Sequence, residues 1–225
     1  AVSEERVKAG RCPSRAAVRR GPPAEAGYPR PMNDDRAAAY ATSAVIWSRL
    51  ATLLPDPEDV ELVQDCWDIG EQEAGLSTLV ERLTELRLPV DDTARTRIAV
   101  LAEEWTVWDR HGSEIAHLAQ SPERPARLRV FEDGAEDTIP AAEVLPEPPS
   151  PTSELVPWIA CPPCGRTLAR SHRREEWGGL SYLAEAYVVL AHDRAFAPLV
   201  LDARGDAAAW SALEALNKAC GCASD

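Results

Sequence analysis

Six cysteines occur in this chain of 225 residues, and four of them fall in two tight pairs. Cys161 and Cys164 bracket two prolines in the run Cys161-Pro162-Pro163-Cys164-Gly165, and Cys220 and Cys222 bracket Gly221. Thiols this close in sequence have three uses. As thiolates they share one metal ion, as a dithiol they cycle through a disulfide, and as neutral thiols they fill a core. Two cysteines two residues apart reach one tetrahedral zinc ion at about 2.3 Å, and a glycine after them permits the tight turn this needs. A structural zinc ion takes four ligands, and Cys220 and Cys222 supply the second pair. His172, eight residues past Cys164, is the substitute ligand. Glu175 and Glu176 follow closely, but four thiols favour a closed, structural centre over an open, catalytic one.

The Cys-Pro-Pro-Cys-Gly run resembles a zinc knuckle of the rubredoxin and zinc-ribbon type, in which the motif is the turn between two strands. Here "VPWIA" precedes it and "TLARSHRRE" follows it, both strand-like. Two features depart from that pattern. The second pair is spaced Cys-X-Cys, and fifty-five residues separate Cys164 from Cys220. The competing dithiol reading resembles a thioredoxin-like motif, which opens a helix and would make the chain an oxidoreductase. A structural metal is the first expectation, redox chemistry and four plain thiols the alternatives.

The elements that must position these residues lie on both sides of a proline-rich stretch. Pro140, Pro146, Pro148, Pro149, Pro151 and Pro157 predict an extended linker. After it, "LSYLAEAYVVLAHD" reads as helix or strand and "APLVLDA" as strand. "AAAWSALEALNKAC" reads as a helix with Ala208, Trp210, Leu213 and Leu216 inward. Before it, "ARLRVFEDGAEDTIP" predicts a hairpin turning at Asp133-Gly134.

Residues 35–110 predict four helices. The first, at about 35–54, carries Trp47, Leu50 and Leu54 on one stripe. Asp56 caps the second with Pro57 at its first position, and Val60, Val63 and Trp67 face inward. Leu76, Leu79, Val80, Leu83 and Leu86 mark the third. Asp91 caps the fourth, where Ile98, Leu101, Trp105 and Trp108 recur at helical spacing before Gly112. Short connections predict antiparallel neighbours. No catalytic constellation stands out here. His111 and His117 read as solvated, and Cys66 as a small buried hydrophobe.

The expected fold is therefore α+β: an antiparallel helical bundle over 32–120, a hairpin and linker over 121–155, and a small α/β zinc module over 156–225. Residues 1–31 show no periodicity, and Met32 is the only methionine. The natural start is expected at Met32, with 1–31 read-through sequence and Cys12 set aside. A basic arm is the rival reading.

The net charge is −13. The first thirty-one residues hold seven Arg/Lys against three Glu, so the acidity belongs to the rest. An acidic body repels nucleic acid and attracts a basic protein. No apolar run reaches the roughly 18 residues of a membrane span, and no apolar signal segment opens the chain. A cytoplasmic protein is expected.

The segment from Val60 to Trp105 resembles the MafI-type family of small immunity proteins. The matching residues are Gly70, Glu71, Gly75, Leu76, Leu79, Leu83, Glu85, Pro89, Ile98 and Leu101. An alanine is usual in the family where Gly75 stands, and the family has nothing like the long C-terminal extension. The resemblance implies a helical bacterial protein that binds and neutralises a toxin, the basic partner being a toxin domain. The alternative is a zinc-stabilised regulatory or adaptor protein. Both are non-enzymatic.

Overall fold

The computed structural model describes residues 34–122, 127–132, 138–191, 197–205 and 207–222. The expectations for residues 1–31 and Cys12 lie outside them. The fold is mixed, five helices followed by an antiparallel sheet and a last helix.

The helices are α1 (Asp34–Ala51), α2 (Pro57–Asp68), α3 (Gln72–Glu85), α4 (Asp92–Glu104) and α5 (Trp108–Ala116). Their starts follow local chemistry. Asp56 accepts the Glu58 N–H at 3.0 Å and Asp91 the Ala94 N–H at 2.7 Å, so each carboxylate satisfies a donor the first turn leaves open. Trp47, Val63, Leu76, Leu79, Leu83, Ile98 and Leu101 are buried together. The Trp47 indole N–H donates to Val63 O at 3.2 Å. Leu86, placed on the inner stripe of α3 by its spacing, is instead 49% exposed, because the helix ends one residue before it.

The fourth helix is shorter than its pattern implied. It stops at Glu104, the chain turns through Thr106 at φ 56°, and a fifth helix begins at Trp108. Gly112 does not end a helix but sits within α5. A Cβ there would lie 2.7 Å from the Trp108 ring, so this glycine makes room for that indole. His111, expected in solvent, is buried, with Ser77 Oγ at 2.8 Å and Glu114 at 3.0 Å.

Strands β3 (Ser153–Cys161), β4 (Arg166–Arg173), β5 (Ala186–Leu190) and β6 (Leu199–Asp202) form an antiparallel meander, and α6 (Ala208–Ala219) follows. Two short strands, β1 (Arg129–Val130) and β2 (Ile139–Pro140), both pair with β3 and not with each other. The hairpin expected around Asp133-Gly134 is therefore replaced by two segments lying along one edge of β3. The turn itself is outside the described residues. A bulge between Pro157 and Ile159 inserts Trp158, which is fully buried.

Strand alternation sorts side chains between two faces. Leu168 on β4 and Tyr187 and Val189 on β5 join the core that runs from Trp47 through Ile98 and Trp158 to Leu216 and Cys220. Ala169 and Val188 face the other way. There they pack with Leu155, Ala141 and Leu145, the last two from the proline-rich stretch. That stretch is thus a cover for the second face of the sheet. One apolar core is shared by the helices and the sheet, where a linker between two cores was expected.

Candidate metal centre

The Cys-Pro-Pro-Cys-Gly run is the turn of the β3–β4 hairpin. Cys161 ends β3 and pairs with Arg166, which opens β4. The turn closes on itself, since the Cys164 and Gly165 N–H groups both donate to Cys161 O, at 3.2 and 2.9 Å. Gly165 takes φ 67°, the left-handed backbone that a side chain disfavours. This strand–turn–strand setting is the one that the knuckle resemblance implied. The motif does not open a helix.

Cys220 reaches the turn from the other end of the domain. It caps the C-terminus of α6 and is buried, and its sulfur lies 3.3 Å from Cys164 Sγ. The Sγ atoms of Cys161, Cys164 and Cys220 all fall within 4.8 Å of one another. Cys222, exposed, follows two residues on and interacts with Cys164 and Cys161. Tetrahedral thiolates at the usual zinc–sulfur length stand about 3.8 Å apart, a spacing that lies between the 3.3 Å of the Cys164–Cys220 pair and the 4.8 Å that bounds all three sulfurs. The donor set fits zinc.

The thiols' acidities follow from their crowding. Desolvation works to raise the Cys164 thiol. The Arg166 backbone N–H and hydrogen bonds with Cys220 and Cys161 outweigh it, lowering Cys164 to about 6. Cys220 is raised, first by burial and then by its bonds to Cys164 and Cys161. Cys222 is raised for the same reasons. Without an ion the cluster thus favours one thiolate at Cys164, held by protonated neighbours.

His172 is not near this centre. It sits six residues along β4 from Arg166, roughly 20 Å away at about 3.3 Å per residue. Its ring is buried, with Nδ1 2.8 Å from Ser181 O. The even spacing from Leu168 through Arg170 puts His172 on the helix-facing side of the sheet, lining a cavity and unable to serve as substitute ligand.

That cavity, about 370 Å³, opens where the α4–α5 turn meets the sheet. It was not foreseen, because its walls come from residues far apart in sequence. On its floor Arg170, 3% exposed, pairs with Glu103 at 2.9 Å and lies over the rings of Trp108 and Trp158, at 5.1 and 5.8 Å. Glu103 also accepts the Tyr187 hydroxyl at 3.2 Å. Burial and the Glu103 charge together push the Tyr187 phenol far above its usual range. Tyr182 closes the mouth, its hydroxyl donating to Thr106 O and reaching Asp109 at 3.5 Å.

No family model matches the chain, and neither a curated protein nor a solved structure does. Among the described residues no helix is long and apolar enough to cross a membrane.

Proposed function

We propose that Cys161, Cys164, Cys220 and Cys222 hold one structural zinc ion, and that the fold it staples is a non-enzymatic, protein-binding adaptor. The observation that carries this reading is the convergence of three cysteine sulfurs from the hairpin turn and the end of α6 within 4.8 Å. Zinc bound by four thiolates has no open position for water or substrate, so its role would be to fix structure. The ion would join strand ends to a helix that follows them by more than fifty residues, and its binding free energy would add to folding. Elemental analysis of protein purified without chelator tests this directly. Close to one zinc per chain is expected, with tetrahedral absorption bands on cobalt substitution. Protein that folds with no metal, or that carries the cysteines as a disulfide under reducing purification, would overturn the reading.

A second reading makes the bound protein a toxin and this chain its immunity partner in the bacterial cytoplasm. Besides the segment around Gly70 and Leu83, the charge of α2 and α3 favours it. Glu58, Glu61, Asp65, Asp68, Glu73 and Glu81 are all exposed on these two helices. Such a surface would steer a basic partner, with an association rate falling as salt rises. Co-expression with a basic toxin domain encoded beside it is the test. Failure to rescue growth or to form a complex would remove the toxin and leave the adaptor.

A further inference from the structure

Arg95, on α4, is 8% exposed and holds its charge there without a carboxylate. Its guanidinium donates to Gln120 Oε1 at 2.8 Å and to Leu118 O at 2.7 Å, and its Nε–H has no partner. Both acceptors are neutral. Among the described residues no carboxylate comes within ion-pair reach of it. The acidic groups near it in sequence are turned elsewhere. Asp92 accepts the Arg127 and Leu128 N–H groups at 2.8 and 2.9 Å, Asp91 caps α4, and Glu114 holds His111. Burial lowers the Arg95 pKa, and the Asp92 charge offsets this only in part. Charged side chains this deep are ordinarily paired.

Arg95 forms part of the wall of a second cavity, about 440 Å³, which is bounded by the end of α5, strand β1 and Pro162 of the hairpin turn. That volume falls within the roughly 300–1,000 Å³ of ligand pockets. Arg129 adds a second guanidinium to the lining. It is exposed, lies over the Phe131 ring at 4.9 Å, and takes no ion pair among the described residues. Gln120 lines the cavity as well. Its Oε1 accepts from Arg95, which fixes the identity of its amide nitrogen and leaves two N–H donors there.

One carboxylate stands against these donors in the lining, that of Glu132, and it is engaged. Ser113 Oγ donates to it at 2.9 Å, and His117 Nδ1 lies 3.9 Å away. With His117 neutral the lining carries two positive charges and one negative, in a chain whose total is −13. The sign of the cavity is thus opposite to that of the protein. Leu128, Phe131 and Pro162 give it an apolar side.

We infer that this cavity binds a small organic oxyanion, a carboxylate or a phosphate ester, whose acid group meets Arg95 and Arg129 and whose body rests on Leu128, Phe131 and Pro162. The terminal nitrogens of a guanidinium carry four N–H donors, and Arg95 commits two of them, so an oxyanion gains charge-assisted bonds without displacing a contact of the fold. A bare inorganic ion would leave the apolar side wet, which is why the ligand carries a body. The inference goes beyond the adaptor reading and rests neither on the zinc ion nor on a protein partner.

The test uses the full chain as purified, at fixed ionic strength, and four probes: benzoate, phenyl phosphate, benzamide and inorganic phosphate. NMR follows the backbone amides of Arg129, Val130 and Phe131 and the Arg95 Nε–H, which is shielded from water and should exchange slowly. Benzoate or phenyl phosphate should shift these signals saturably, and the tighter of the two names the acid group. Benzamide, similar in shape but neutral, should bind about tenfold more weakly than that acid, the size of one charge-assisted contact. Inorganic phosphate, which has no apolar body, should bind more weakly than phenyl phosphate. Arg129→Gln should weaken the better acid and Glu132→Gln should strengthen it, each by up to about fivefold, the range of one exposed charge. Both positions are exposed, and an unchanged melting temperature with an unchanged amide spectrum away from the cavity shows that the variants fold. No saturable shift, benzamide binding as well as the acids, inorganic phosphate binding as well as phenyl phosphate, or an affinity that neither substitution moves would each overturn the inference. The acidic stretch 133–137 lies outside the described residues, and were it the counter-ion of Arg95, no probe would bind.

Discussion

The Arg170 guanidinium on β4 lies 2.9 Å from the Glu103 carboxylate on α4, and both side chains are nearly out of solvent. The pair bolts the sheet to the helical layer across a core that neither layer owns. Its members are sixty-seven residues apart in sequence. Removing the Glu103 carboxylate takes a close counter-charge from a buried guanidinium, and breaking a buried pair in this way costs up to about 3–5 kcal/mol. Glu103→Ala should therefore lower the stability of the whole chain by about that amount in a denaturant titration. The double change Arg170→Met with Glu103→Leu should recover most of the loss. Equal destabilisation by the single and double variants would show that the pair is not what joins the layers.

Cys164→Ser and Cys220→Ser should each abolish stoichiometric zinc binding. A flexible linker would have let residues 156–225 loosen alone, with the bundle intact. The shared core, running from Trp47 to Cys220, leads to a different expectation. Loss of the ion should weaken α6 and, through it, α4, since Arg127 reaches Asn217 and Glu104 reaches Ala209 across the same seam. Hydrogen exchange by mass spectrometry should show lower protection in both helices on chelation. Protection falling in α6 alone would restore the two-module description.

Glu104 supplies a cap that α6 lacks. Ala207, before the helix, offers no side-chain acceptor, and the Glu104 carboxylate accepts the Ala209 N–H at 2.8 Å instead. Burial raises the Glu104 pKa above its ordinary 4.5, although these backbone bonds oppose the rise. A carboxyl raised in the folded state favours folding most when protonated. Its contribution is present below about pH 4.5 and is lost as the pH climbs through the raised value. Glu104→Gln keeps an acceptor and removes the titration. The variant should thus gain stability relative to the parent as pH rises from 4 to about 7, read as a difference in melting temperature. A constant difference across that range would contradict the raised pKa.

Gly112→Ala tests the packing of the helix that the sequence pattern missed. In an exposed helix this change stabilises by up to about 1 kcal/mol. Here the new methyl would press on the Trp108 ring at 2.7 Å. Trp108 packs edge-on against Trp158, whose ring also contacts Tyr187, so there is little room to yield. Destabilisation by about 1–3 kcal/mol is expected. A rise in melting temperature would mean the indole moves freely.

How much was legible depends on how far each feature reaches along the chain. Asp56, Pro57 and Asp91 act on neighbours within three residues, and the starts of α2 and α4 fell where these residues put them. The strands flanking Cys161 and Cys164 were equally local. Gly112 misled because a glycine that yields to a tryptophan four residues earlier looks, in sequence, like one that ends a helix. The same holds for Gly75, where a Cβ would meet Cys66 and Trp47 at 2.9 Å. Pro146 to Pro151 read as a spacer because composition does not show that Leu145 and Ala141 find a sheet face to cover. The approach of Cys220 to Cys161 and Cys164 matches what a shared ligand set led one to expect. The cavity was not legible, since Glu103, Arg170 and Tyr182 come together only through the fold.

The hairpin turn and the end of α6 are also separated in time. Cys220 follows Cys164 by fifty-six residues. At the usual pace of about 5–20 residues per second, a ribosome takes roughly 3–11 s to make that stretch. For those seconds the nascent chain would present Cys161 and Cys164 as a half-built chelate, able to hold an ion loosely but not to enclose it. The last thiols would then act as a latch thrown only once the sheet behind them has been synthesised. Metal capture would report completion of the domain, and a chain stalled before Cys220 would remain open to exchange with any zinc buffer around it.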